Sequence, residues 1–165
     1  MLIRFMNRLQ LMTLLLGMTV LSLSSCHSPF SEEEDIADVW PTDKSCHLHS
    51  GQCTLKHGNQ QVTLSISPNN PIPVARLLDA KVSLTNIPAK NVQIDITGLN
   101  MYMGYNRTTL SPLTSNSTAQ LKQYKGNIIL AFCTNDTMQW QLSVLITTPK
   151  GKIISAPFLL TTDIN

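Results

Sequence analysis

Two methionines stand on alternate positions in Asn100-Met-Tyr-Met-Gly-Tyr-Asn106. Further along, a cysteine and a third methionine bracket the short run Cys133-Thr-Asn-Asp-Thr-Met138. Thioethers and thiolates are soft donors, and soft donors select Cu(I). In an oxidising compartment a thioether has a second advantage, because it forms no disulfide. The chain has seven methionines, and Met1, Met6, Met12 and Met18 fall near its start, which leaves Met101, Met103 and Met138 for the rest. On an extended strand Met101 and Met103 face one side, and Gly98 and Gly104 permit a bulge or bend beside them. A fold that brings the Cys133–Met138 turn beside this pair makes Met101, Met103, Cys133 and Met138 a candidate Cu(I) site. Two roles compete with this: a hydrophobic contact patch, in which the Met pair beside Tyr102 and Tyr105 serves a structural or interaction protein without metal, and simple packing. Met138 is in phase with Trp140 and Leu142, the Met pair is in phase with Leu99, and methionine is a common gap-filler.

A second cluster lies in Cys46-His-Leu-His-Ser-Gly-Gln-Cys-Thr-Leu-Lys-His57. Its two cysteines and three histidines are all zinc-ligand types, but the spacing matches no standard finger. An exported chain favours a disulfide instead. Cys46–Cys53 is the local pairing, and it pins the start of the folded region. Cys53–Cys133 is the rival pairing. A Cys–His nucleophilic pair needs an activating turn and an oxyanion site, and nothing marks either. Asp79, Asp95, Asp136 and Asp163 are too widely spaced to read as a carboxylate pair. The chain reads as a non-enzyme.

The elements that must position these groups are strands. Met138, Trp140, Leu142, Val144 and Ile146 alternate with polar residues, which is the period of a half-buried strand. Val62, Leu64 and Ile66 repeat the pattern, as do Val82 and Leu84, and then Val92, Ile94 and Ile96. Gly126 to Cys133 is more continuously apolar, as a central strand can be. A last strand covers about residues 152–162. His57-Gly58-Asn59, the proline-rich run from Pro68 to Pro73, and Pro149-Lys-Gly-Lys152 supply the turns. About seven short strands without a helical period predict an all-β, immunoglobulin-like antiparallel β-sandwich. Trp140 would be its large inward aromatic. A small barrel is the alternative.

The first residues carry an address. Arg4 and Arg8 precede a mostly apolar run from Leu9 to Leu23 that is short for a bilayer span, which is the pattern of a secretory signal peptide. Leu23-Ser24-Ser25-Cys26 resembles the bacterial lipobox, which implies acylation of Cys26. Acyl chains anchor a domain to a membrane without spanning it. His27, rather than Asp, follows the cysteine, and the sorting rules this resembles then favour the outer membrane with the domain in the periplasm. Glu32, Glu33, Glu34, Asp35, Asp38 and Asp43 lie between Cys26 and Lys44 with no base among them. This stretch reads as a solvated spacer; binding back onto the basic domain is the alternative. The expected organisation is a signal peptide over 1–25, an acidic tether over 26–45 and a sandwich over 46–165. The bases beyond Asp43 are scattered without interleaved aromatics, unlike a nucleic-acid surface.

Gly98-Leu-Asn-Met-Tyr-Met-Gly-Tyr-Asn-Arg-Thr-Thr-Leu110 and Tyr124-Lys-Gly-Asn-Ile-Ile-Leu-Ala-Phe-Cys-Thr-Asn-Asp-Thr-Met-Gln-Trp140 together resemble the FixH and YtkA-like proteins. They also resemble related proteins encoded near SCO-type copper chaperones. The matching positions are Gly98, Met101, Met103, Gly104, Tyr124, Gly126, Cys133, Met138 and Trp140. The resemblance implies a membrane-associated β-sandwich, copper handling or cytochrome oxidase assembly, and a partner that is a copper chaperone or assembly factor. The chain departs from FixH in carrying a lipid-anchor signature where FixH has a transmembrane helix.

Overall fold

The computed structural model describes residues 36–104, 106–114, 118–132 and 134–163. The expected signal peptide, Cys26, the first part of the acidic stretch, Tyr105 and Cys133 lie outside the described residues. Ten strands follow in order. They are β1 (Ile36–Val39), β2 (Cys53–His57), β3 (Gln60–Ser67), β4 (Leu77–Thr85), β5 (Asn91–Gly98), β6 (Arg107–Thr109), β7 (Ser111–Leu113), β8 (Leu121–Ile129), β9 (Thr137–Thr147) and β10 (Ile153–Asp163). A single 3-10 turn, Leu48–Ser50, precedes β2. Among the described residues no helix is long and apolar enough to cross a membrane.

The strands form two five-stranded sheets, β1-β10-β9-β5-β6 and β2-β3-β4-β8-β7. The chain is therefore an all-β sandwich, as the alternation predicts. The order β3-β4-β8-β7 against β10-β9-β5-β6 is the immunoglobulin-like plan, with the chain changing sheets after β4, β6 and β8. One pairing is parallel, that of β1 with β10; the others are antiparallel.

Alternation places the core. Val62, Leu64 and Ile66 of β3 and Val82 and Leu84 of β4 are buried, as are Val92, Ile94 and Ile96 of β5 and Met138, Trp140, Leu142, Val144 and Ile146 of β9. Each buried Val, Leu or Ile contributes about 1.5–3 kcal/mol over leaving it in water. The Trp140 indole N–H donates to the Thr162 hydroxyl across the β9–β10 pair at 2.9 Å, so the largest inward aromatic has its one donor satisfied.

Six of the ten strands correspond to runs read from the sequence, and β2 is the strand that the His57–Asn59 turn implies. β1, β6 and β7 are additional, each three or four residues long and each at a sheet edge. β8 begins at Leu121 and ends at Ile129, earlier at both ends than the apolar run that marked it. Its polar first half takes its pairing from β4, where Leu121 stands opposite Thr85.

The chain also folds earlier than the predicted boundary at residue 46. Ile36 to Val39 pair with β10, and Trp40 is buried in the core. The Trp40 backbone N–H donates to the Ser155 carbonyl, its indole N–H donates to Asp38, and its ring packs against His57 with centroids 5.5 Å apart. Asp38, one of the acids assigned to the spacer, is thus part of the folded unit. Residues 41–52 then cross from one sheet to the other. The opposite edge closes the same way: Leu110, between β6 and β7, is buried and lies against Gly126, where a β-carbon would fall 2.7 Å from Leu110 Cδ2.

Candidate functional site at one end of the sandwich

The Met-bearing segment joins β5 to β6, and an asparagine holds each end of it. Asn100 donates from Nδ2 to the Thr137 carbonyl at 2.9 Å and accepts from the Gln139 N–H at Oδ1 at 3.0 Å. Its carboxamide thus continues the β5–β9 ladder after the backbone has left it. Leu99 N–H donates to the Gln139 carbonyl beside this bond. At the other end Asn106 donates from Nδ2 to the Ile129 carbonyl, while its own carbonyl accepts from Ile96 N–H. The segment is therefore fastened to both sheets.

Met101 and Met103 do not lie on a strand, contrary to the expectation from their spacing. β5 ends at Gly98, and the two side chains part company. Met103 is half-buried against the core, whereas Met101 is at the rim and 37% exposed. The reason lies at Gly98. Its inward side carries no side chain, and a β-carbon there would fall 2.9 Å from Met103 Cγ and collide with the Met101 carbonyl. Met103 folds back into that space. Gly98 pairs with Trp140, and Met138 is two residues from Trp140 on the same inward face, so Met103 and Met138 lie on the inner side of the same end of the β5–β9 pair. Met138 is 1% exposed. Its sulfur accepts a weak bond from Asn135 Nδ2 at 3.9 Å, so it is addressed from the β8–β9 connection. Cys133 belongs to that connection in sequence and lies outside the described residues. Leu99, the expected packing partner of the Met pair, is instead half-exposed.

Two loops and a sheet edge complete this end. Cys46 and Cys53 form a disulfide, the local pairing of the two alternatives. The zinc alternative for this cluster loses both thiolates to it. His49 is also committed, with Nδ1 3.2 Å from the Asn69 carbonyl and Nε2 2.6 Å from the Thr161 carbonyl. Among the described residues no three His, Cys, Asp or Glu side chains are grouped to hold a metal. A groove of about 320 Å³ runs between this loop and the sheet, lined in part by Lys44, His47, Leu48, Leu99, Gln139 and Leu159.

An apolar surface extends here beyond the Met–Tyr patch expected from the sequence, an expectation that did not include Leu77, Leu99, Ile129 and Phe132. Leu77 and Ile129 are cross-strand partners at the end of the second sheet, both facing solvent. With Leu99, Met101, Tyr102 and Phe132 they account for six of the eight large apolar side chains exposed among the described residues. Tyr102 is 88% exposed. The period-two pattern carried a signal for two of them, since Leu77 and Ile129 fall on the outward phase of their strands.

No protein-family model matches the chain, and no curated protein matches it. The resemblance to FixH and YtkA-like proteins rests on the quoted residues alone.

Proposed function

We propose that this is a membrane-anchored, non-catalytic protein that carries Cu(I) on thioethers at one end of its sandwich. The observation that supports it is the Asn100 clamp, which fixes the Met101–Met103 turn to the first residues of β9, the strand that bears Met138. The donor set suits the ion, because thioethers are soft and neutral and Cu(I) needs no redox partner to be bound or released. The graded exposure suits a carrier. Met138 is enclosed, Met103 is half-covered and Met101 is 37% exposed. An incoming partner's ligand would reach Met101 first. Cys133 is the proposed fourth donor, and Cys26 the proposed site of acylation. An oxidase-assembly factor or copper chaperone is the partner that the resemblance implies, and the periplasmic face of a bacterial membrane is the proposed location.

A second reading is favoured by one observation. Leu77, Ile129, Phe132 and Tyr102 expose apolar surface at the same end. Such a patch marks a protein contact, and it would serve an interaction lipoprotein without metal.

Titration of the reduced protein with Cu(I) against a chelating competitor separates the two. The copper reading expects tight binding that weakens by at least about tenfold when Met101 and Met103 are both changed to Leu. Equal, weak binding by both proteins would leave the contact surface as the function.

A further inference from the structure

We infer that the opposite end of the sandwich lies on the membrane, with its lysines against anionic phospholipid headgroups. Five exposed lysines gather there, Lys56, Lys90, Lys122, Lys150 and Lys152. Hydrogen bonds and shared surfaces place them together. Lys90 N–H donates to the Thr147 carbonyl, and the Lys152 carbonyl accepts from Thr148 N–H across the β9–β10 turn. Lys122 and Pro149 line one groove with Asn59 and Asn86. Gln60, beside the β2 end that carries Lys56, donates to the Asn86 carbonyl. The only carboxylate at this end among the described residues is Asp38, which accepts from the Trp40 indole and faces His57. The other bases, Lys44, Arg76, Lys81, Arg107 and Lys125, share the rest of the surface with Asp43, Asp79, Asp95, Asp136 and Asp163. The excess positive charge of the domain is therefore at one pole.

The chain itself indicates what meets that pole. Ile36, where the described residues begin, pairs with Ile153, next to Lys152. Ten residues lead from Cys26 to Ile36 in the sequence, and fully extended they span at most about 36 Å. With acyl chains on Cys26, on which this inference rests, the lysine pole is the end tied to the lipid surface. Eleven residues of β9 separate the two ends, which is about 37 Å of strand. The field of an anionic surface decays within a Debye length of about 8 Å at physiological ionic strength. Only the lysine pole feels that field, and the methionine end points away, toward soluble partners. Glu32, Glu33, Glu34 and Asp35 precede Ile36 in the sequence and are the competing partner for these lysines.

The test uses the acylated protein extracted from membranes and placed in vesicles of phosphatidylcholine, with or without phosphatidylglycerol. A membrane-impermeant amine reagent labels the lysines, and peptide mass spectrometry reads each site. Labelling of Lys90, Lys150 and Lys152 is expected to fall by about threefold or more when phosphatidylglycerol is present and to recover in high salt. Lys81 and Lys125 should label equally in both. Equal labelling of all five in the two vesicles overturns the inference. So does protection in both vesicles that is lifted by E32Q/E33Q/E34Q/D35N, because the acidic stretch is then the occupant. The mass of the N-terminal peptide reports acylation separately. If Cys26 is bare, pelleting of a Cys26→Ser chain with phosphatidylglycerol vesicles, and its loss in K90E/K150E/K152E, decides the lysine face alone.

Discussion

The side chain of Met103 fills the space that Gly98 leaves on the inner face of β5, with Met103 Cγ 2.9 Å from where a β-carbon would stand. One residue's lack of a side chain thus sets the depth of the other. Gly98→Ala should displace both Met103 and the Met101 carbonyl. Overpacking of this kind costs about 1–3 kcal/mol, and denaturant unfolding should report it. On the proposed copper reading, the same variant should also weaken Cu(I) binding in the competitor titration, although it removes no sulfur.

Asn100→Ala removes the two hydrogen bonds that carry the β5–β9 ladder into the Met-bearing segment. Thr137 and Gln139 are exposed, so water replaces the lost partners, and stability should fall by only about 1 kcal/mol. The local effect should be larger than the global one. Hydrogen exchange at Leu99 and Gln139 should accelerate well beyond what that loss of stability predicts, because the segment opens without the sandwich unfolding.

Trp140 and Thr162 form a buried pair that can be apportioned by a double-mutant cycle. Thr162→Val strands the indole N–H and Trp140→Phe strands the hydroxyl, and each should cost about 1–3 kcal/mol for the unsatisfied group. The Phe variant costs more, since it also removes volume. The double variant should cost less than the sum of the two in thermal or chemical denaturation.

The Cys46–Cys53 bridge closes a short loop, with a sequence separation of seven. The chain-entropy relation for so small a loop gives about 2.5 kcal/mol at 25 °C. Cys46→Ser with Cys53→Ser should lower unfolding stability by about that amount. Cys53 is in the core, so this variant also places a hydroxyl there, and reduction of the wild type is the cleaner comparison.

Asp43 titrates below its ordinary value of 3.8, chiefly because the Ser45 hydroxyl donates to it, with help from the Ser45 backbone N–H. The folded turn therefore favours the carboxylate. Its contribution is complete above pH 3.8 and is lost as pH falls below that, through the lowered folded value. A carbon-13 titration of Ser45→Ala should move the Asp43 midpoint up toward 3.8 without reaching it, because the backbone donor remains.

The long strands were legible because a period of two needs only five or six residues to declare itself, as Met138 to Ile146 and Val62 to Ile66 do. β6 and β7 were not legible. Three residues carry no period, and Pro112 reads as a breaker although an edge strand tolerates it. Trp40 was hidden by its neighbours, since acids and Pro41 gave the composition of a spacer. At the candidate site the residue types were legible but their conformation was not. Alternate spacing put Met101 and Met103 on one face, and that holds only while the backbone stays extended. Asn100 takes over the ladder with its side chain, so the backbone is free to turn, and no pattern of apolar residues signals that exchange. The Met101–Tyr102 part of the apolar end is contiguous and was legible, but the lysine pole and the Leu77, Ile129 and Phe132 part of the apolar end were hidden, because they come from loops and strand ends far apart in sequence.

The parallel pairing of β1 with β10 also sets how the domain bears a load. A pull on the chain ahead of Ile36 acts along the strand axis, so the β1–β10 bonds are strained in shear and must give way together. A hairpin pulled from its open end would instead unzip one bond at a time. Trp40, buried directly behind this strand, adds a plug that must leave the core before the load passes further. A load that enters through a sheared strand and a buried indole is resisted there before it reaches the rest of the sandwich.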